Sequence, residues 1–431
     1  LGRVARPEPK TSASPWGVAL VALAPVAFGR AGRSATRHTR KTVMTEHAAP
    51  LRKEIEDLAV SQIAEVFYAG RDHPRLLPFW FGEGDTPTPD FVKRAAIDAI
   101  QADRVFYVDD RGIPPLREAI SRYVSGLHGQ PIGIDRVQVT PSGMAAVMMT
   151  MQAISGPGDN VAYIAPVWPN IVETVRICGA TPRPVALDAT PDGGWRLDLQ
   201  KLFDSCDDRT RGIFVASPGN PTGWMMSRDE LRAVLEFCRR RRIWLIIDAV
   251  YERLTYDCDR APSPLDIAGP EDPVISLNSF SKAWAMTGWR LGWVIAPAWV
   301  NLNLRKLNQY NTSGAATFVQ WAGIAALEQG EPFIAETRAR LHRARDLVIQ
   351  GLSRFPRVHV APPPGAFYAF MRVDGLGNGL AFAKDLVART GVGLAPGTAF
   401  GPEGEGYLRF CYASSEQRLS DALARMEPML R

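Results

Sequence analysis

Ser279-Phe280-Ser281-Lys282, with Arg290 eight residues beyond the lysine in Thr287-Gly288-Trp289-Arg290-Leu291-Gly292, places an amine, two hydroxyls and a guanidinium behind a short apolar run, Val274 to Leu277. That set can hold a phosphorylated aldehyde: the amine bonds to the carbonyl carbon, while the hydroxyls and guanidinium take the phosphate. A lysine alone is ordinarily a solvated surface group, so the reading depends on what stands elsewhere in the chain. Asp248 with Tyr251 three residues on, Asn220-Pro221-Thr222-Gly223, and Arg409 within Tyr407-Leu408-Arg409-Phe410-Cys411 are the other candidates. Taken singly, Asp248 reads as a helix N-cap and Asn-Pro-Thr-Gly as a turn. An arginine flanked by apolar neighbours in a strand pattern must meet an anion.

The elements that position these groups are short apolar runs alternating with helical segments over about 95–325, the pattern of a mostly parallel sheet. The runs are Val137 to Thr140, Val161 to Pro166, Gly212 to Ser217, Ile243 to Asp248, Val274 to Asn278 and Leu291 to Ala296. They lack polar alternation, as strands buried on both faces do; a buried helix piece reads the same way, and only length and flanking turns separate the two. Ser227 to Arg241 is a predicted helix, opened by the capping box Ser227-x-x-Glu230 and buried along Leu231, Val234, Leu235 and Cys238. Ser142-Gly143, Pro166-Val167-Trp168, Gly219-Asn220-Pro221, Asp248 and Ser279 to Lys282 each follow one of the first five runs. Ligands of open parallel sheets sit beyond the carboxyl ends of the strands, so these five signals describe one site. Beyond 330, a helix over Pro332 to Arg354, the run Gly365 to Phe370, a helix near Gly379 to Thr390, the run Tyr407 to Ala413 and a last helix from Ser414 predict a smaller α+β domain. The expected division is a leader over 1–43, an N-terminal part of the small domain over 44–94, a large domain over 95–325 and the remainder of the small domain over 326–431.

At 431 residues, 46% hydrophobic and 22% charged, the chain can bury two cores around a shared cleft. Residues 1–43 hold eight Lys/Arg against the single acid Glu8, a surplus of +7 that leaves the rest at −2 of the net +5. The basic balance is therefore no argument for a nucleic-acid partner, and none is expected. The apolar stretch Trp16 to Phe28, broken by Pro25, is too short to span a bilayer, and no membrane partner is expected. Three readings of residues 1–43 stand: upstream sequence before a start at Met44, an organellar transit peptide, or an export signal. Five widely spaced cysteines with no Cys-x-x-Cys predict reduced thiols in a cytoplasmic protein rather than disulfides or a metal site.

In combination these residues resemble the class I/II aminotransferases of pyridoxal 5′-phosphate fold type I, over nearly everything from about residue 50 onward. The motifs that carry the resemblance are Gly82-Glu83-Gly84-Asp85-x-Pro87-Thr88-Pro89, Tyr107 with Gly112 and Leu116-Arg117, Asn220-Pro221-Thr222-Gly223, Asp248-x-x-Tyr251, Ser279-x-Ser281-Lys282 with Arg290, Pro364-Gly365-Ala366-Phe367, and Arg409. The resemblance implies a large domain with a mostly parallel sheet sandwiched by helices, a smaller α+β domain, and transfer of an amino group between an L-amino acid and a 2-oxo acid by a ping-pong mechanism. It implies that Lys282 carries the cofactor as a Schiff base and moves the proton, that Asp248 pairs with the pyridine nitrogen, and that Asn220 and Tyr251 serve the phenolic oxygen. Trp168 would stack on the ring. Backbone N–H groups of Ser142, Gly143 and Met144, the hydroxyls of Ser279 and Ser281, and Arg290 would hold the phosphate. Tyr107 would reach the phosphate of a neighbouring subunit, which implies a homodimer with composite sites. Arg409 would take the substrate α-carboxylate, with Gly82, Asn220 and Trp168 beside it. Met144, Val147, Met148 and Met151 are expected to be the buried face of their helix.

Gly84 stands where the family has proline, and Ala249-Val250 replaces a more usual Glu-Val or Glu-Ile. Leu307 to Ser313 lacks the arginine that one branch uses for a second carboxylate, which argues against aspartate specificity of that type. Phe79, Trp80 and Phe81 read either as an apolar side-chain pocket or as a buried strand. The same cofactor chemistry can also run β-elimination, as in carbon–sulfur lyases or cyclopropane-forming synthases, because the carbanion is common to both. A non-catalytic binding module is the remaining alternative.

Overall fold

A computed structural model describes residues 51–431. The readings of residues 1–43 and of Met44 lie outside the described residues. Seven strands form the central sheet: β1 (Val137–Thr140), β2 (Asn160–Ala165), β3 (Thr181–Ala186), β4 (Thr210–Ala216), β5 (Trp244–Asp248), β6 (Val274–Ser279) and β7 (Gly292–Ile295), in the order β1-β7-β6-β5-β4-β2-β3. β7 runs antiparallel to both β1 and β6, and the other pairings are parallel. Successive residues feed opposite faces. Ala162, Ile164, Ile213, Val215, Leu245 and Ile247 pack into one core, and Val161, Tyr163, Phe214, Ile246 and Ile275 into the other. This double burial is why the strands carry no polar alternation.

Helices close both faces. On one side α2 (Gly143–Ile154) and α3 (Pro169–Ile177) supply Val147, Met149, Ile171 and Val175. On the other, α4 (Arg228–Arg241) supplies Leu231, Val234, Leu235 and Cys238, and its Ser227/Glu230 capping box is formed as the sequence predicts. The edge strand β3 has no counterpart among the sequence-predicted runs. It carries Pro182 and Pro184 and has a single fully buried residue, Val185, and prolines without a ladder N–H are tolerated there because one side of an edge strand has no partner.

The second core gathers around a four-stranded antiparallel sheet of β8 (Val358–His359), β9 (Tyr368–Val373), β10 (Ala395–Pro396) and β11 (Tyr407–Cys411), in the order β8-β9-β11-β10. Around it lie α1 (Gln62–Gly70), α5 (Glu331–Leu352), α6 (Gly379–Thr390) and α7 (Glu416–Leu430). α7 starts two residues later than the reading from Ser414, because Ser415 is its N-cap and accepts from Arg418 N. The run from Gly365 becomes a strand only at Tyr368, since Ala366 takes φ +58° and turns the chain before it. Leu77–Pro78 pairs with Val392–Gly393, which ties the segment leading to Gly82 into this core.

Candidate active site

The carboxyl ends of the central strands open into one cavity of about 370 Å³, lined by Gly143, Met144, Trp168, Asn220, Asp248, Tyr251, Ser279, Ser281, Lys282, Arg290, Arg409 and Gly82 among others. The cavity thus brings together nearly all the residues singled out from sequence. Ser142 lies just behind the wall as the N-cap of α2, its hydroxyl accepting from Ala145 N at 2.9 Å. Tyr107 is apart from this cavity and 91% exposed.

One end is a cradle for an anion. α2 begins at Gly143, so the N–H groups of its first turn face outward at the positive end of the helix dipole. Ser279 Oγ donates to Ser281 Oγ at 2.8 Å, and Arg290 Nη1 donates to the Thr287 carbonyl at 2.7 Å, at the cavity rim. Gly292 makes this convergence possible. It pairs with both Thr140 and Ser279, and a Cβ there would lie 2.7 Å from Asn278 O and 2.9 Å from Gly143 N. Met144 and Met148 are only half-buried, whereas Met149 is buried together with Ala146, Val147 and Met151. The expected single stripe is therefore corrected: α2 is enclosed on most of its circumference, and Met144 faces the cavity.

At the other end, Asp248 terminates β5, where Oδ1 accepts from Val250 N at 3.1 Å. Burial pushes its carboxyl up to about 6, with Val250 N–H and Lys282 pulling the other way. Among the described residues no arginine or lysine forms an ion pair with it, so this carboxylate suits a cationic N–H partner supplied by a ligand. Lys282 extends its Nζ to the Gly82 carbonyl, and burial lowers its ammonium to about 8, which makes a neutral amine accessible near neutral pH. Tyr251 Oη shares a 2.6 Å hydrogen bond with Tyr368 Oη, and burial raises both phenols.

Arg409 is 2% exposed. Its Nη1 donates to Asn220 Oδ1 at 3.0 Å, its Nη2 donates to the Trp80 carbonyl, and its guanidinium carbon lies 4.7 Å from the ring centres of Tyr368 and Phe400. Its Nε makes no hydrogen bond among the described residues, a buried donor suited to an acceptor from a ligand. Phe79 is buried in the second core, Trp80 is buried there and also lines the cavity, and Phe81 is 41% exposed and lines it, so the aromatics serve both readings offered by the sequence. Gly84 has room for a side chain, a Cβ meeting Ala413 Cβ at an ordinary 3.5 Å.

Tyr368, and the carbonyls of Trp80 and Gly82, were not singled out from sequence. The alternation of β9 and β11 could have found the first: Phe370 pairs with Arg409, and Tyr368 lies two residues away on the same face.

The residues present fit pyridoxal 5′-phosphate: a helix N-terminus, two hydroxyls and an arginine for a phosphate, a half-buried carboxylate for the ring nitrogen, and a half-buried lysine in the same cavity. The description "Aminotransferase class I and II" matches residues 78–426. An aspartate aminotransferase of Pyrococcus horikoshii is 32% identical, over 86% of this chain and 94% of that protein. The solved structure of a Thermus thermophilus aspartate aminotransferase superposes with a TM-score of 0.83 at 31% identity, covering 89% of this chain and 100% of the other. That of an aromatic aminotransferase from Pyrococcus horikoshii gives 0.79 at 31% identity, covering 85% and 98%. These relatives support amino-group transfer rather than β-elimination. The chain therefore belongs to the class I and II aminotransferases, pyridoxal 5′-phosphate-dependent enzymes of fold type I that transfer amino groups.

Proposed function

We propose that Lys282, Asp248 and Arg409 are the working centre of an aminotransferase that passes an amino group from an L-amino acid to a 2-oxo acid in two half-reactions at one site. The observation that carries this reading is the one cavity in which a half-buried lysine, a half-buried carboxylate without a paired cation among the described residues, and a buried arginine with an unmade hydrogen bond converge. The bound cofactor supplies an electron sink for the carbanion formed at the substrate α-carbon. Lys282 would hold the cofactor's carbonyl carbon through Nζ and, once released, move the proton from the α-carbon; its lowered pKa supports that role. Asp248 would keep the ring nitrogen protonated. Asn220 Nδ2, left free because Oδ1 faces Arg409, and the Tyr251 hydroxyl would hold the phenolic oxygen. Trp168 would cover the ring face. The Ser142, Gly143 and Met144 backbone, Ser279, Ser281 and Arg290 would hold the phosphate. Arg409 would take the α-carboxylate with Asn220, Trp168 and Gly82 beside it.

The enzyme would act as a homodimer with composite sites. Val105, Phe106, Tyr107, Trp299, Leu302 and Tyr310 are all more than half exposed, and such an apolar surface supports a partner subunit to which Tyr107 would contribute. We divide the chain as 44–94 with 326–431 and 95–325; among the described residues most buried side chains of the two parts fall in separate hydrophobic clusters, which supports the division, although Val92 and Ile334 pack in the large-domain cluster and Tyr251 and Leu254 in the other. Five free thiols support a reducing, cytoplasmic location. No described helix is long and apolar enough to cross a membrane.

The test is the absorption spectrum of the purified protein loaded with pyridoxal phosphate, recorded while amino acids are added singly without an oxo acid. Conversion to the pyridoxamine form by particular amino acids is expected. Pyruvate and ammonia release without that conversion would refute the assignment in favour of β-elimination.

A further inference from the structure

Tyr368 lines the cavity but has no part in the roles proposed above. It opens β9 directly across from Cys411 of β11, and its side chain is fully buried. Its ring meets that of Tyr251 edge-on at 5.7 Å, and the Arg409 guanidinium carbon lies 4.7 Å from its centre. Its hydroxyl rests against Gly82, where a Cβ would collide with it. These neighbours fix the ring, and they leave Tyr368 Oη 2.6 Å from Tyr251 Oη.

The direction of that hydrogen bond follows from counting protons, because a phenol has one to give. If Tyr251 gives its proton to the phenolic oxygen of the cofactor, its own oxygen can only accept from Tyr368, and Tyr368 is the donor. Burial raises both phenols, so both protons are present at working pH. A hydroxyl that accepts while it donates is polarised into a stronger donor, and its proton is held in one direction. The positive charge of Arg409 over the Tyr368 ring draws on the same electrons and favours donation by Tyr368.

We propose that Tyr368 is a positioning residue that turns the Tyr251 hydroxyl towards the phenolic oxygen of the cofactor and strengthens it as a donor there. The proposal rests on the aminotransferase reading above and is tested so that the two separate. A donor on the phenolic oxygen favours the proton-poor form of the bound cofactor, so weakening that donor raises the pH at which the visible band titrates. The midpoint is measured without substrate on wild type, Tyr368→Phe, Tyr251→Phe and the double variant, each loaded with pyridoxal phosphate. Tyr368→Phe removes one oxygen and should raise the midpoint by about 0.3 to 1 pH unit. Tyr251→Phe should raise it more, and in that background Tyr368→Phe should add nothing. An unshifted midpoint in Tyr368→Phe, or the same shift with and without the Tyr251 hydroxyl, would overturn the role. Urea unfolding of the four cofactor-free proteins reads the contact by itself: the double variant should lose less than the sum of the two single losses, and additive losses would overturn it. Wild type is also mixed with single amino acids. Conversion to the pyridoxamine form beside an unshifted Tyr368→Phe midpoint would overturn the role of Tyr368 alone, whereas no conversion by any amino acid would remove the aminotransferase reading and the proposal with it.

Discussion

Replacing Asp248 by asparagine should make the cofactor-free protein more stable and the enzyme inactive. The sign follows from where the proton sits. Burial raises the Asp248 carboxyl from 3.8 to about 6, so between those values the folded chain keeps a proton that the unfolded chain has lost. Folding therefore weakens as pH rises through that window, and above it the penalty is complete. The distance from 3.8 to about 6 corresponds to about 3 kcal/mol, and because the side chain keeps some contact with the open cavity, about 1.5 to 3 kcal/mol is the expected size. Asparagine keeps the shape and can still accept from Val250 N, but carries no charge to desolvate. Urea unfolding of cofactor-free wild type and Asp248→Asn, at one protein concentration, should show the variant ahead at pH 7.5 and level with wild type near pH 3.5. In the same preparation, cofactor affinity and single-turnover rate should fall. A variant no more stable than wild type at pH 7.5, or one whose advantage is equal at both pH values, would refute the assignment of a desolvated, unpaired carboxylate.

Four further outcomes are expected. Lys282→Ala should still bind pyridoxal phosphate, measured by equilibrium dialysis, while single-turnover proton transfer falls by about 10²- to 10⁴-fold or more; near-normal rates would remove the lysine from the mechanism. Reconstitution of the cofactor-free protein should accelerate with pH and level off above about 8, because only the neutral Lys282 amine attacks a carbonyl; a midpoint above 10 would contradict its burial. Arg409→Ala should raise KM by about 10- to 100-fold with little change in cofactor affinity, since two charge-assisted bonds to the α-carboxylate are lost; an unchanged KM for every amino acid would sink the role. Gly393→Ala would put a methyl 2.0 Å from Trp80 Cε3 and should cost about 1–3 kcal/mol of stability in thermal or urea unfolding; a neutral effect would show that Trp80 has room to shift.

The central strands were legible because burial on both faces leaves continuous apolar runs such as Trp244–Asp248, and the site was legible because its polar residues follow those runs directly. β3 was not, since a proline-bearing edge strand has neither the apolar run nor the alternation of a buried one. α2 misled the helical period: with Ala146, Val147, Met149, Thr150 and Met151 all buried, there is no single stripe for spacing to reveal. Tyr368 was hidden in a run of six successive apolar or aromatic residues, Ala366 to Met371, and only the pairing of β9 with β11 sets it beside Arg409, with its hydroxyl on that of Tyr251. The carbonyls of Trp80 and Gly82 carry no residue signature at all, because every residue has that acceptor.

Those two carbonyls also set a schedule for synthesis. The Trp80 carbonyl meets its arginine 329 residues later in the chain, and the Gly82 carbonyl meets its lysine 200 residues later. At about 5 to 20 residues per second, Trp80 waits roughly 15 to 65 s on the ribosome before Arg409 has even been made. Phe79 waits as long, because its ring packs on Phe410 at 4.7 Å. The segment whose Trp80 and Phe81 line the cavity is thus among the earliest described parts translated and among the last enclosed, and through that interval its rings are open to aggregation.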